Sequence, residues 1–309
     1  ILLDQAESSL YDLNQELLSE NSENNWEVVI GDITRKERMI NLFEFFKPEI
    51  IFHAAAYKHV PLMEQNPAES IRTNVQGTKI LCDLAVAFKI LKFIFISTDK
   101  AVNPTNVMGA SKRIAEMYCQ SLDAECETKF ITTRFGNVLG SNGSVIPLFK
   151  KQLENGGPLT VTHKNVTRFF MTIPEACQLV IEASTMGEGG EIYVFDMGKS
   201  IKIIDLAKKM IQLTGLEVDK DIKIKITGLR PGEKMYEELL SNEENTISTH
   251  HPKIMIGKVC SNDYQTLKEL VTKLITFVKD QQNEEIVKQM KLIVPEFVSQ
   301  NSEFSKLDS

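Results

Sequence analysis

Short apolar runs rich in β-branched and aromatic residues recur along the first half of the chain, at residues 1–4, 26–30, 49–53, 93–96 and 129–134. Between them lie stretches whose apolar residues return every three or four positions. These are 8–18, with Leu10, Leu13, Leu17 and Leu18, then 34–46, a long segment 67–88, and one that runs through about residue 122. The first pattern predicts buried strands and the second predicts amphipathic helices. Their alternation at this spacing predicts an α/β fold with a parallel, doubly wound sheet.

The rhythm changes after Gly140. Asn142-Gly143 and Asn155-Gly156-Gly157-Pro158 are turn signals that bracket a helix at 144–153. A strand starting at Pro158 is expected to end near Arg168, and Pro174 opens a helix at 173–184. Residues 191–197 read as a last strand returning to the first sheet. A helix at 201–213 and a half-exposed strand at 221–227 follow, and the chain then runs into Gly228-Leu229-Arg230-Pro231-Gly232-Glu233-Lys234. The remainder alternates a short strand at 253–256 with helices. The expected division is one lobe of 1–141 plus about 171–197 and a smaller α/β lobe of about 142–170 plus 198–298. Residues 299–309 are expected to form a frayed polar tail.

The richest stretch for chemistry is KFIFISTDKAVNPTNVMGASKRIAE, residues 92–116. A strand ends in Ser97-Thr98-Asp99-Lys100, crosses a loop with Pro104, and enters a helix carrying Met108 and Lys112 one turn apart. Ligands of open α/β sheets bind outside the carboxyl ends of the strands, so an acid, an amine and a hydroxyl gathered there point to a reacting site. The alternative is an ordinary strand, loop and helix with solvated charges. Neighbours on a strand face opposite sides, so Asp99 and Lys100 can meet one ligand only if the backbone bends by Thr98. Ala54-Ala55-Ala56 end another strand, and their small size suits either a flat ligand or tight helix packing. Asp4 closes the first run, where a ribose-binding acid and a helix cap are both at home.

A net charge of −7 with no Lys/Arg-rich face argues against a general nucleic-acid partner. Cys82, Cys119, Cys126, Cys177 and Cys260 show no paired spacing and no histidine at ligand distance, so reduced thiols and no metal site are expected. No apolar run approaches the roughly 18–20 residues that span a bilayer, and a cytoplasmic chain is expected. It starts at Ile1, directly with a strand and without a Gly-rich turn, and reads as a chain cut partway through a fold.

The segments GDI (31–33), HAAAYKHVPLME (53–64), TNVQGT (73–78), STDKAVNPTNVMGASKR (97–113), RFGNVLGSNGSVIPLF (134–149), TRFFMTIPEA (167–176) and GLRPGEKMYEELL (228–240) resemble the extended short-chain dehydrogenase/reductases. Among these the chain most resembles the nucleotide-sugar 4,6-dehydratases of bacterial polysaccharide and glycan biosynthesis. The resemblance covers nearly the whole chain and implies a Rossmann-type lobe for NAD with a C-terminal lobe for a UDP-sugar. Two departures stand out. The family's first strand and glycine-rich phosphate turn have no counterpart here. Met108 stands where the family pattern Tyr-x-x-x-Lys has its phenol, and a thioether cannot exchange a proton. The Met form resembles the long, membrane-anchored branch, which implies membrane contact only through a segment absent from this chain, at the cytoplasmic face of the inner membrane. A homo-oligomer is also expected.

The resemblance implies oxidation at C4, loss of water across C5 and C6, and return of the hydride to C6. In that scheme Lys100 is the base at C5, with its pKa expected to fall. Asp99 is the acid for the 6-hydroxyl, with its pKa expected to rise. Thr98 can hydrogen-bond the 4-hydroxyl, a proton relay through Thr98, Asp99 or water replaces the missing phenol, and Lys112 holds the nicotinamide ribose. The cofactor would further meet Asp4, Asp32, Ile33, Ala54, Ala55, Ala56, Lys58 and Phe135, while Asn74 orients the loops at the sheet end. For the UDP-sugar, Arg134, Arg168 and Arg230 are candidate partners of the diphosphate. Asn137, Ser141, His59 and Val145 would line the sugar or phosphate, Glu233 would accept from the uridine ribose, and Thr162 would face the uracil. A nucleotide-sugar 4-epimerase and a non-catalytic sugar-nucleotide-binding protein are the alternatives.

Overall fold

The computed structural model describes residues 1–20, 25–238, 246–257 and 262–308. Cys260 and the last two residues of the 228–240 segment lie outside them. The chain opens with Leu2–Asp4 (β1), Glu7–Ser19 (α1), Val28–Ile30 (β2), Lys36–Phe46 (α2), Ile50–His53 (β3) and Val60–Gln65 (α3). The long helix expected next is a continuous rod of three parts: Pro67–Ser70 (α4), a π-helical stretch Ile71–Gly77, and Thr78–Ala87 (α5). Lys92–Ile96 (β4), Val107–Asp123 (α6) and Lys129–Arg134 (β5) complete the alternation. Asn137–Val138 (β6), Val145–Glu154 (α7), Leu159–Val161 (β7), Thr167–Arg168 (β8), Phe170–Met171 (β9), Ile173–Met186 (α8) and Ile192–Phe195 (β10) come next. The chain then forms Ile201–Lys202 (β11), Ile203–Leu213 (α9), Ile224–Ile226 (β12), Thr246–Ser248 (β13), Ile254–Gly257 (β14), Tyr264–Thr276 (α10) and Asn283–Ile293 (α11).

The principal sheet has the order β13-β14-β10-β5-β4-β3, and β3, β4, β5 and β10 run parallel. This is the doubly wound α/β architecture that the alternation predicts. β4 supplies both faces of the sheet: Phe93 and Phe95 join the core beneath α5 and α6, while Ile94 joins the core beneath α8. Such two-sided burial explains why the strand reads as a continuous apolar run. β1 and β2 form a parallel ladder of their own, unpaired with the principal sheet, whose edge strand β3 leaves Ile50 and Phe52 half exposed. A third core, built on Phe149, Leu159, Val161, Ile203, Ala207 and Ile211, belongs to the smaller lobe of α7, α9, β7 and β12. No described helix is long and apolar enough to cross a membrane.

Three expectations need correction. The strand from Pro158 stops at Val161, and Thr167–Arg168 is a separate strand paired with Ile201–Lys202. Residues 246–257 do not join the smaller lobe; β14 pairs antiparallel with β10 and carries the first sheet onward. Helices α10 and α11 pack through Leu267, Val271, Leu274, Val287 and Met290 into the same core as α6. All but three of the 17 residues of α6 are buried, because the sheet covers one side and these C-terminal helices the other. The polar tail is anchored. Phe304 is 2% exposed, Val298 N–H donates to the Pro104 carbonyl, Gln300 N–H to the Thr105 carbonyl, and Gly232 N–H to the Gln300 carbonyl.

One buried ion pair ties α6 to β5. Arg134 is fully buried, and its Nε and Nη2 donate to the two carboxylate oxygens of Glu116 at 2.8 and 2.7 Å. Burial pushes the Glu116 carboxyl up, but the Arg134 guanidinium outweighs it and holds the group below the usual carboxylate range. The stability this adds is complete above the ordinary carboxylate pKa and is lost as pH falls through the lower folded value. Glu116→Ala removes both carboxylate bonds of the Arg134 fork and should cost about 1.5–3 kcal/mol, read from urea unfolding. A loss below about 1 kcal/mol would mean that the pair is not what fastens helix to strand.

Candidate active site

The bend expected at Thr98 is present. Ser97 N–H still donates to the Thr133 carbonyl across the sheet, and Thr98 is the last extended residue, at φ −149° and ψ 156°. Asp99–Ala101 then form a 3-10 turn, with the Thr98 hydroxyl accepting from Lys100 N–H at 3.4 Å. The turn aims Asp99 and Lys100 into one cavity rather than to opposite faces. Asn106 caps α6 by accepting from Gly109 N–H at 2.7 Å. A Cβ on Gly109 would stand 2.2 Å from the Lys100 carbonyl oxygen, so the first turn of α6 presses directly on the backbone of the turn. One turn later Lys112 reaches back, donating to the Ile96 carbonyl at 2.7 Å and lying 4.0 Å from the Phe95 ring centre. Burial pulls its pKa down to about 8.

A cavity of about 530 Å³ opens on this turn. Of the expected catalytic residues Thr98, Asp99, Lys100, Met108 and Lys112 all line it, as do Ala54, Ala56, Lys58 and Phe135 of the cofactor set. His59, Asn137, Ser141, Val145, Thr162, Arg168, Arg230 and Glu233 line it as well. Six residues lie outside the lining. Asp4 is exposed and accepts from Ala6 N–H at 2.8 Å in a local turn ahead of α1, whose N-cap is Ala6, so it does not cap the helix. Asp32 accepts from Thr34 N–H in the same manner. Ile33 is core, packed where a Cβ on Gly77 would meet it. Ala55 is exposed beside the lining. Asn74 holds the strand-end loop as expected, bonding Tyr57 N–H at 2.8 Å, the Tyr57 carbonyl at 3.0 Å and the Ser111 hydroxyl at 2.9 Å. Arg134 is no phosphate ligand here, because Glu116 takes its fork inside the core.

The electrostatics of the turn invert the expectation. Lys100 Nζ lies 3.0 Å from Asp99 Oδ1 and 2.7 Å from Glu237 Oε1. Burial pulls the ammonium pKa down, but Asp99 and Glu237 outweigh it and the net shift is upward. Burial likewise pushes Asp99 up, and the contact with Lys100 brings it below the usual range. Ion pairs at contact distance outweigh the desolvation that the sequence suggested. The carboxyl that does rise is Glu237, pushed by burial to about 7. Glu237 was not foreseen; its one sequence signal is its place four residues after Glu233 in the same polar segment. Arg168 spans the two acids, with Nη2 3.2 Å from Glu233 Oε1 and Nε 3.2 Å from Glu237 Oε1. Thr162 and Arg230 also converge on Glu233, and Asn137 Nδ2 donates to Glu237 Oε2 at 2.9 Å.

A family model described as polysaccharide biosynthesis protein matches residues 1–259. The chain belongs to this family. It is an extended short-chain dehydrogenase/reductase of the polysaccharide-biosynthesis type, and its α/β fold with a parallel-rich central sheet is that of the family. The capsular polysaccharide biosynthesis protein CapD of Staphylococcus aureus is 54% identical over 84% of this chain and 43% of its own length. The chain thus spans less than half of that relative. A Campylobacter jejuni protein named UDP-N-acetylglucosamine 4,6-dehydratase (inverting) is 35% identical over 71% of this chain and 64% of its own. A UDP-glucose 4-epimerase of Rickettsia canadensis is 41% identical over 63% of this chain and 57% of its own. The X-ray structure of Pen from Bacillus thuringiensis superposes with a TM-score of 0.74 at 33% identity, covering 88% of each chain.

The contact at Gly109 makes a sharp demand on the site. Gly109→Ala should cost about 1–3 kcal/mol in a denaturant titration, because a backbone carbonyl rather than a flexible side chain must give way. Unchanged stability would show that α6 can retreat from Lys100 freely.

Proposed function

We propose that this protein catalyses the NAD-dependent 4,6-dehydration of a UDP-sugar, with UDP-N-acetylglucosamine the substrate that fits best. The observation that carries the reading is the Thr98-Asp99-Lys100 turn facing one cavity beside Met108. With no phenol at that position, proton exchange falls to the turn itself. The Campylobacter relative's name supports the substrate, at 35% identity.

Ala54 and Ala56 leave the strand end open to a flat nucleotide, and Lys58, Lys112 and Phe135 stand around it, a set that fits NAD. Bound NAD supplies the two-electron acceptor for C4 and the donor for C6. Lys112, pinned by the Ile96 carbonyl, orients the nicotinamide ribose. Asp4 lies outside the cavity lining and holds Ala6 N–H with Oδ1; its exposed carboxylate would accept from adenosine ribose hydroxyls and repel a 2′-phosphate. Arg168 and Arg230 turn from Glu233 to the diphosphate, and the released Glu233 and Thr162 meet uridine.

The charge states suggest an order of events. Thr98 Oγ donates to Asp99 Oδ1 at 2.8 Å, so the 4-hydroxyl proton can pass through Thr98 to the ionised Asp99. Asp99 thereby becomes an acid in the first step and returns that proton to the departing 6-hydroxyl. It need not begin protonated. Lys100, as the neutral amine, removes the C5 proton and gives it back after reduction at C6. Epimerisation at C4 alone would leave Lys100 and the acid role of Asp99 unused, which is why dehydration is preferred. Attachment to a membrane, as in the long branch, belongs to segments outside this chain.

Full-length protein incubated with UDP-N-acetylglucosamine and NAD⁺ should yield a product lighter by one water by mass spectrometry. Unchanged mass with the C4 epimer appearing would favour the epimerase, and binding without turnover would favour a sensor. Lys100→Ala should abolish dehydration while UDP affinity stays within about threefold. Normal turnover by that variant would remove Lys100 from the mechanism.

A further inference from the structure

A base at C5 has to be an amine, yet Lys100 rests as an ammonium between two buried carboxylates, Asp99 at 3.0 Å and Glu237 at 2.7 Å. Its side chain keeps 22% of its surface exposed toward the cavity, whereas both carboxylates beside it are 2% exposed or less. The nearest acceptor is the one already in contact. Glu237 presents Oε1 to Lys100 Nζ and shares that oxygen with Arg168 Nε at 3.2 Å, while Oε2 is fixed by Asn137 at 2.9 Å. Asn137 is itself tied to the Phe169 carbonyl at 3.1 Å. The Glu237 side chain is 2% exposed.

We propose that Glu237 is the proton store of the Lys100 base: it holds the ammonium in the resting cavity and takes its proton once a nucleotide diphosphate draws Arg168 away. The inference rests on the dehydratase reading for the identity of the base and of the diphosphate. The step is closed within the cavity. An N–H bond of Lys100 Nζ breaks and an O–H bond forms on Glu237 Oε1, turning a charged pair into a neutral amine and a neutral carboxylic acid.

Two changes drive the proton in this direction. Departure of Arg168 removes the cation at contact with Glu237, and the 4-hydroxyl proton arriving on Asp99 removes an anion that keeps Lys100 charged. The charged groups acting on Glu237 are Asp99 and Lys100 from the turn and Arg168 from β8; Lys234 lies within the same field. Among the cavity's carboxyls Glu237 is the one already displaced upward, to about 7, by burial. When Lys100 has returned its proton to C5, Glu237 protonates the amine and the resting charges are restored.

The test reads Lys100 itself. In full-length protein, acylation of Lys100 Nζ by a small amine-reactive ester is followed against pH by peptide mass spectrometry. It is run with and without UDP, which carries the diphosphate and no sugar. In the wild type, UDP should raise Lys100 reactivity near neutral pH by about tenfold, equivalent to one pKa unit. In Glu237→Gln the response to UDP should fall below about twofold, and kcat should drop about a hundredfold with KM within about threefold. Glu237→Asp, which keeps the carboxyl, should recover part of both. A residue with only a structural role would lower stability and raise KM without changing the UDP response. An equal UDP response in wild type and Glu237→Gln overturns the proposal, as does no response in a wild type that binds UDP. If Lys100 responds as expected and no dehydrated product forms, the dehydratase reading fails while the proton store stands. Failure of the wild type to bind UDP overturns both.

Discussion

The contact between the first turn of α6 and the backbone of Lys100 governs the geometry of everything around the cavity. A helix can rest on a carbonyl this closely only where no side chain intervenes, and Gly109 provides that position. α6 is pressed against the segment that leaves β4, which turns at Thr98 into the 3-10 segment. Because it turns, an acid and an amine that are adjacent in sequence look into the same space. Lys112 then falls one helical turn beyond the contact, close enough to reach the Ile96 carbonyl at the strand's end. Strand, turn and helix are one device with a single point of closest approach.

That device works in a site where charges are paired before any ligand arrives. Asp99, Lys100, Glu237, Arg168 and Glu233 form a chain of alternating sign, linked at 2.7 to 3.2 Å, in which the acids are buried and the cations keep part of their surface open to the cavity. Isolated charges would be costly to bury, so the resting cavity satisfies each with its opposite. A dianionic ligand competes for the cations, and each cation it captures alters the proton affinity of an acid left behind. On the proposed reading, substrate binding and readiness for proton transfer are coupled through the same few side chains.

The alternation of strand and helix, the polar end of β4 and the bend at Thr98 could be read from residue order, because they depend on local periodicity and on neighbours. Most of the residues expected around the ligand do line the cavity. What escaped is what depends on partners distant in sequence. Arg134 and Arg168 each sit at the end of a strand and look alike on paper; only the fold puts Glu116 before one and the cavity before the other. The proton affinities of Asp99 and Lys100 could not be anticipated without Glu237, which the smaller lobe delivers. Likewise the amphipathic pattern of 264–276 declares a buried face without naming its partner, which turned out to be α6.

The anchoring of the last residues has a consequence for how the molecule comes into being. The loop ahead of α6 is held at Pro104 and Thr105 by Val298 and Gln300, and Gln300 also secures Gly232 beside the arginine and glutamate pair. These partners lie far apart in the sequence, so the loop ahead of α6 and the turn at Gly232 are buttoned together only after long stretches of intervening chain have closed on themselves. The two loops therefore share one clasp, and loosening the segment around Gln300 would free both at once.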